Sequence, residues 1–353
     1  MGNVMGSHGV LCFMKKIPIL FLVSLFCSCS ESRTPIPEHR IVGRSLSLPE
    51  DAALNYSGLY LNESEHCIIK SEYQGEIALK KIFYDADSVA CVFRRGRGPK
   101  EFMDINVVHV DPQGGFYATV DATGRILRFS SDGEPIETFR LAFGMLAATV
   151  VGDLFVSYGA ESSVYQLWNR SGEKLAEFGT LPDDGIACGD NYKTMAYQGI
   201  LLAHPDRKRF AHLCSFAKMF DIYEIDSLCN PANVFSLRAN LPVYSPQRQV
   251  RGVRYEKFEI GYSSAYATGR FIYAQYSGKR PGDDHSAKTV REAFENDRIE
   301  VYDWDGAHRC DLLLDRPILG FCVGSDDGFL IALYSDEGEM RFCRYNLAGI
   351  GIG

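Results

Sequence analysis

The chain is short of every signature that announces a familiar chemistry. Across its 353 residues there is no CxxC pair, no GxSxG elbow, no HExxH, no phosphate-cradling GxxxxGK[ST] loop and no glycine-rich dinucleotide fingerprint after a strand. These absences leave zinc-ribbon and thioredoxin-like sites, α/β-hydrolase triads, zincin-type proteolysis and nucleotide hydrolysis without support. The eight histidines are scattered and form no cluster along the chain. Positive charge is scarce too. Lys and Arg total 37 against 45 Asp and Glu, a net charge of −8, which argues against a phosphate-backbone partner and so against nucleic acid. No apolar run is long enough to cross a bilayer, since the longest, Ile17 to Phe26, has ten residues where about 20 are needed. Apolar spacing at 3.6 residues is missing outside one insertion, which disfavours a helical fold.

Aromatics and glycines are abundant, and they recur together. An aromatic residue stands four positions before a turn residue at Phe83/Asp87, Phe129/Gly133, Trp168/Gly172, Tyr223/Ser227, Tyr302/Gly306 and Tyr345/Gly349. The spacing is that of propeller blades, about 40–50 residues. Around each turn the pattern alternates with period two, as in Arg125–Phe129 before Asp132-Gly133 and Glu134–Phe139 after it. Such alternation about a residue that accepts positive φ is a hairpin signal. A further aromatic or β-branched strand precedes each hairpin, at 115–120, 153–158, 209–214, 270–276 and 328–334, and these stretches are expected to supply the inner and middle strands of each blade. The expected fold is all-β: a six-bladed β-propeller of four-stranded antiparallel blades spanning 40–353. The last repeat stops after Tyr345 without an outer strand, and the lone strand-like stretch Arg40–Leu48 is expected to close the last blade.

The N-terminus has the form of a secretion signal. Lys15 and Lys16 precede the apolar run, and Ser28 before Cys29 suits a bacterial lipoprotein signal peptidase. The expectation is a signal peptide over 1–28, with Met14 as the natural start, lipidation at Cys29 and a tether over 29–39. This places the protein in the bacterial cell envelope, on the outer membrane and facing the periplasm or the outside, touching the membrane through its lipid only. Eight cysteines follow Cys29. Most fall inside strands, Cys91 among them, where a free thiol packs as a small buried hydrophobe, and a bridge at loop-located Cys188 or Cys229 stays open.

Candidate binding residues lie in two places. Between Ser227 and Gly306 the repeat is stretched by loops at 242–250 and 276–286 and by a short helix at 287–294, with Val290 and Phe294 on one face. Long loops on a rigid scaffold are where binding resides, and Tyr276, Lys279 and Arg280 are the candidates there. Asp283, Asp284 and His285 are adjacent in sequence, and adjacent loop residues rarely converge on one ion; no cofactor is expected, a divalent cation being the one alternative. The second place is Gly96-Arg-Gly-Pro-Lys-Glu-Phe102. It reads first as a blade-to-blade connection in which Glu101 bonds backbone amides and Phe102 fills the core. The alternative sets Arg97 and Glu101 at the mouth of the central channel as ligand contacts. His204-Pro-Asp206 reads as a hairpin turn leading into the strand at 209–214.

Arg95–Phe102, together with Arg298–Gly306, Leu312–Ile318 and Phe329–Tyr334 in order, resembles the TolB-like six-bladed β-propeller lipoproteins of Bacteroidetes over residues 40–350. Lys100 stands where that motif commonly has glycine. The resemblance implies a fold and an envelope location and transfers no catalytic residue. Two function classes follow: a non-enzymatic binding or scaffold module for a protein, peptide or glycan, or a hydrolase or lyase acting on a small molecule or sugar in the channel. They are separated by whether three or more blades deliver Asp, Glu, Asn or His to one point there.

Overall fold

Strands that alternate about tight turns must bury one face against a neighbour, and in the computed structural model they do so as six sheets closed into a ring. The structure describes residues 35–48, 58–72, 74–121, 123–141, 144–159, 164–247, 252–255, 259–281 and 287–352. The leader, Cys29 and the Asp283-Asp284-His285 run lie outside the described residues. Strands β1 (Glu38–Ile41) and β2 (Arg44–Ser45) come first. Blade one is β3 (Leu59–Asn62), β4 (Cys67–Ser71), β5 (Ile77–Phe83) and β6 (Ser88–Arg94); blade two is β7 (Ile105–Val110), β8 (Phe116–Val120), β9 (Arg125–Phe129) and β10 (Pro135–Arg140). Blade three is β11 (Ala147–Val151), β12 (Leu154–Tyr158), β13 (Tyr165–Trp168) and β14 (Lys174–Phe178), followed by helix α1 (Asp190–Ala196). Blade four is β15 (Gly199–Ala203), β16 (Arg209–Cys214), β17 (Met219–Ile225) and β18 (Pro231–Arg238), and a separate hairpin follows, β19 (Tyr244–Gln247) with β20 (Gly252–Tyr255). Blade five is β21 (Tyr262–Ala267), β22 (Phe271–Tyr276), β23 (Asn296–Asp303) and β24 (His308–Ile318), with helix α2 (Val290–Phe294) between its second and third strands; blade six is β25 (Gly320–Val323), β26 (Phe329–Asp336) and β27 (Glu339–Asn346).

Each blade is an antiparallel meander, and the six first strands β3, β7, β11, β15, β21 and β25 touch one another in a closed ring. The stretches 115–120, 153–158, 209–214, 270–276 and 328–334 hold the second strands, so the innermost wall is built from other residues. One apolar cluster lies between each pair of neighbouring blades: Phe93, Phe116 and Phe129 between one and two, Phe139, Phe155 and Trp168 between two and three, Phe220, Tyr262 and Tyr302 between four and five. Burying a Phe-sized side chain contributes about 1.5–3 kcal/mol, so the ring is held by six distributed cores.

The repeat has a physical cause beyond turn geometry. Gly133 has φ +81°, and a Cβ there would stand 2.8 Å from Val92 of the preceding blade; at Gly306, φ +87°, it would stand 2.2 Å from the Phe235 ring. The third-to-fourth turn of one blade therefore rests on the outer strand of the blade before it, and only glycine offers both the φ and the clearance. Blade four differs: its left-handed residue is Cys229 at φ 63°, two past Ser227, because Asp226 Oδ1 accepts the amides of Leu228 and Asn230 at 2.8 Å each and widens the turn.

The N-terminal segment closes the ring as expected and does more. β2 pairs antiparallel with β27 through Arg44↔Arg344 and Ser45↔Cys343, supplying the missing outer strand of blade six. β1 pairs parallel with β24, from Glu38↔Asp311 to Ile41↔Leu314, and adds a fifth strand to blade five. Gly43 makes the crossing between them, where a Cβ would fall 2.2 Å from Cys343 Sγ. All eight described cysteines are free, Cys188 and Cys229 included, and Cys91 is exposed on the outer edge of blade one rather than buried. In α2 the buried residue is Ala293; Val290 is exposed, because the short helix turns only its last turn inward.

Candidate functional site

In an antiparallel meander the connections alternate between the two edges of the sheet. First-to-second and third-to-fourth turns thus lie at one end of the ring, and second-to-third loops and blade-to-blade linkers at the other. All three long connections, 179–198, 239–261 and 277–295, belong to the second end.

They are fastened by two carboxylates. Asp184 accepts the hydroxyls of Tyr244 at 2.9 Å and Tyr197 at 3.0 Å and pairs with Lys193 at 3.3 Å, tying 179–198 to the inserted hairpin. Burial works to raise the Asp184 carboxyl, but the Ile186 amide, the two tyrosine hydroxyls and Lys193 hold it below the usual range. Tyr158 of blade three donates to Thr194 O in α1 at 2.8 Å. Glu259 is the second hub, accepting Tyr276 Oη and Asn240 Nδ2 at 3.0 Å each and Arg280 at 3.3 Å. Lys279 reaches the carbonyls of Glu292 and Glu295 at the end of α2, a favourable place for a cation. Lys218 of blade four sits 4.7 Å over the Tyr276 ring and pairs with Glu300 at 2.5 Å.

Tyr276, Lys279 and Arg280 are thus gathered at one insertion, and Arg97 and Glu101 stand apart from them in the linker between blades one and two. Arg97 is exposed. Glu101 is turned back on its own loop, where its Oε2 accepts the Gly98 amide at 2.8 Å. A Cβ at Gly96 would lie 1.9 Å from that oxygen, which explains the first glycine of the motif. Phe102 packs edge-on against Phe93 at 5.0 Å, in the core between the blades. Lys100 has φ 61°, so the lysine occupies a left-handed position that favours glycine. Neither Arg97 nor Glu101 lines the central cavity. His204 caps a turn, its Nδ1 accepting the amides of Asp206 and Arg207 at 3.0 and 3.1 Å, and its ring packs 4.9 Å from Trp304.

Inside the ring is a cavity of about 700 Å3. A second of about 450 Å3 abuts it, sharing Gly58, Tyr60, Val108, Ile200 and Leu201. The larger is walled by the first strands, with Tyr60, Tyr266, Phe294 and Phe321 as its aromatic surface. Phe294 comes from α2, so the longest insertion reaches the channel. Polar groups from several blades open on the same space: Asn62 and Glu63 from blade one, His109 and Asp111 from blade two, Asp206 from blade four. They do not converge. Asn62 is bonded to Glu65 and Gly114, Glu63 accepts the Ser325 hydroxyl at 2.9 Å, and Asp111 accepts the Gly115 amide at 2.8 Å and Arg128 at 3.3 Å. Burial lowers the His109 pKa, so the ring is neutral at pH 7. Among the described residues no group of three or more His, Cys, Asp or Glu is placed to hold a metal ion. The first strands carry no local pattern that marks them as cavity walls, and sequence reasoning did not find Tyr60, His109, Thr149 or Asp206 as lining residues.

Among solved structures, a putative exported protein from Bacteroides fragilis NCTC 9343 is similar over 88% of this chain and 99% of its own, with 11% identity and a TM-score of 0.54. The RRP9 WD40 repeats align over 86% of this chain and 99% of theirs at 11% identity, with a TM-score of 0.47. At these identities the first likeness concerns the fold alone, and the second carries no argument. No curated protein matches the sequence. The model of the family described as TolB-like 6-blade propeller-like matches residues 84–326, which covers blades two to five whole and parts of one and six, and the chain belongs to that TolB-like six-bladed propeller family.

Proposed function

We propose that the protein is a binding or scaffold module of the bacterial envelope, anchored by lipid at Cys29 and recognising a protein, peptide or glycan with the end of the ring that carries its insertions. The observation that carries this reading is the placement of all three long connections at one end, held by the Asp184 and Glu259 hubs. A scaffold whose irregular segments are ordered by buried polar contacts presents a preformed surface, and preorganisation lowers the entropic cost of association. Tyr276, Lys279 and Arg280 lie within that end, and Arg97 lies in a linker that opens on it. The anchor rests on the Lys15-Lys16, apolar run and Ser28-Cys29 order of the leader.

A photo-crosslinking amino acid at Val243 or Val290, each 55% exposed at the insertion end, is compared with one at Leu228, 80% exposed at the opposite edge of blade four. Discrete adducts from both insertion positions and none from Leu228 are expected in intact cells. Adducts from Leu228 alone, or none from any position, would sink the assignment of this face. Radiolabelled palmitate incorporation that survives Cys29→Ser would refute the anchor.

A further inference from the structure

The two ends of the ring are electrostatically unlike. The turns joining first to second strands (63–66, 111–115, 152–153, 204–208, 268–270, 324–328) and third to fourth strands (84–87, 130–134, 169–173, 226–230, 303–307, 346–349) contain fifteen carboxylates and four Lys or Arg. That surplus of acid exceeds the net charge of the whole chain, −8. The rest of the protein is therefore slightly basic. Turn-capping explains why many of these residues are Asp, but a capped carboxylate keeps its charge and its field.

The central cavity opens among these turns. Glu63, Asp111 and Asp206 line it, and among the described residues no Lys or Arg does. Asp111 shares Arg128 and Glu63 is bonded to Ser325. The Asp206 carboxylate is exposed at the rim beside Gly269 and takes no hydrogen bond or ion pair among the described residues. A second feature lies deeper. Thr149 of blade three is 1% exposed, lines the cavity, and its hydroxyl has no hydrogen-bond partner among the described residues. What little surface Thr149 exposes opens on the cavity, so a ligand's donor or acceptor would meet a hydroxyl that the protein does not use. The aromatic walls Tyr60 and Tyr266 suit a cation on an aliphatic stem, which gains from ring faces as well as from carboxylates.

We infer that the cavity is a binding site for a ligand bearing a protonated amine, which enters from the acidic end with its cation toward Asp206 and a polar group toward Thr149. Anionic ligands are excluded by the same field, since no basic side chain would neutralise them. The acidic mouth of the site lies at the end opposite the proposed macromolecular face, and a small cationic group is a different ligand, so the inference goes beyond that reading. Two sources share the chemistry: a free polyamine and the lysine side chain of a peptide.

Isothermal titration of the purified protein tests it with four probes: spermidine, acetyl-Gly-Lys-Gly amide, the neutral disaccharide cellobiose, and citrate. Binding of spermidine or of the lysine peptide, weakening with salt, is expected, and the preferred one identifies the source. Asp206→Asn, which removes no hydrogen bond or ion pair among the described residues, is expected to weaken that binding about tenfold, and Thr149→Val to weaken it with little change in salt dependence. Tighter binding of cellobiose or citrate, amine binding indifferent to both substitutions, or no amine binding at millimolar concentration would overturn the inference. Crosslinking from Val243 and Val290 would be untouched by any of these results, so the two readings fail separately.

Discussion

Blade one buries two lysines against one carboxylate, and the imbalance has a measurable consequence. Lys70 and Lys80 are 0% and 1% exposed, and each lies 2.6 Å from the same Glu72 oxygen. Burial lowers the Lys70 pKa from 10.5 to about 8, although Glu72 works against the shift. At about 1.4 kcal/mol per unit, the ionised amine costs the fold on the order of 3 kcal/mol. The sign follows from linkage. Between pH 8 and 10.5 the unfolded chain holds the Lys70 proton that the folded chain has released, so raising pH through that window stabilises the fold; below pH 8 the cost is present in full. Lys70→Met removes the charge and keeps the volume, and leaves Glu72 paired with Lys80. The variant is expected to be more stable than the natural protein by about 2–3 kcal/mol at pH 7, with the gap closing toward pH 10. Buried thiols such as Cys67 and Cys214, pushed up to about 12, act in the opposite direction above pH 9, but they are common to both proteins and cancel in the difference. Urea unfolding at pH 7, 8.5 and 9.5 reads the gap. A Lys70→Met variant less stable at pH 7, or a gap that stays constant or widens with pH, would refute the reasoning.

Glu72→Gln leaves both buried amines without a carboxylate and is expected to cost about 3–5 kcal/mol, seen as a lower urea midpoint at pH 7. Gly306→Ala meets the Phe235 ring and a φ of +87°; a loss of at least about 2 kcal/mol is expected, and a loss under half of that would show that the joint between blades four and five yields easily. Lys100→Gly relieves a left-handed lysine at the loss of an exposed pair with Glu134, so thermal unfolding is expected to show a gain of up to about 1 kcal/mol. Tyr158→Phe removes the bond to Thr194 O and is expected to speed amide exchange in 190–196 while the strands of blade three stay protected; equal loss in both would show that the hydroxyl supports the blade as a whole.

The blade turns were legible because one local pattern, an aromatic four residues before a glycine, answers to one local cause, a turn seated on the preceding blade. Gly133 and Gly306 announce themselves in this way. The innermost strands announce nothing: Gly199-Ile-Leu-Leu-Ala203 and Ala147-Ala-Thr-Val-Val151 are short, uncharged and end in no recurrent residue. The cavity is assembled from about one strand per blade, so Tyr60, His109, Thr149 and Tyr266 meet in space with tens of residues between them. Helix α1 was missed because Asp190–Ala196 lacks apolar spacing and its N-cap, Gly189, offers no side-chain bond. The 96–102 motif is legible in its structural sense, because Gly-Pro and a following Glu-Phe pair constrain the backbone locally, with Glu101 on the Gly98 amide and Phe102 against Phe93. Partner identity is not a local property, and no residue spacing encodes it.

The pairing of β1 and β2 with blades five and six also sets an order of assembly. Residues 38–45 leave the ribosome and any translocation pore before the rest of the ring, yet their partners, 308–318 and 339–346, come last. Closing a loop of that length is entropically expensive and slow. Blades one to four can form as meanders of local contacts while the first strands wait. Until they dock, two sheet edges stand open at the seam, and they offer the backbone of any neighbouring chain a place to add. The vulnerable period of this protein is therefore the interval between completing β27 and capturing β2, and its length is a property of the N-terminal segment rather than of the blades.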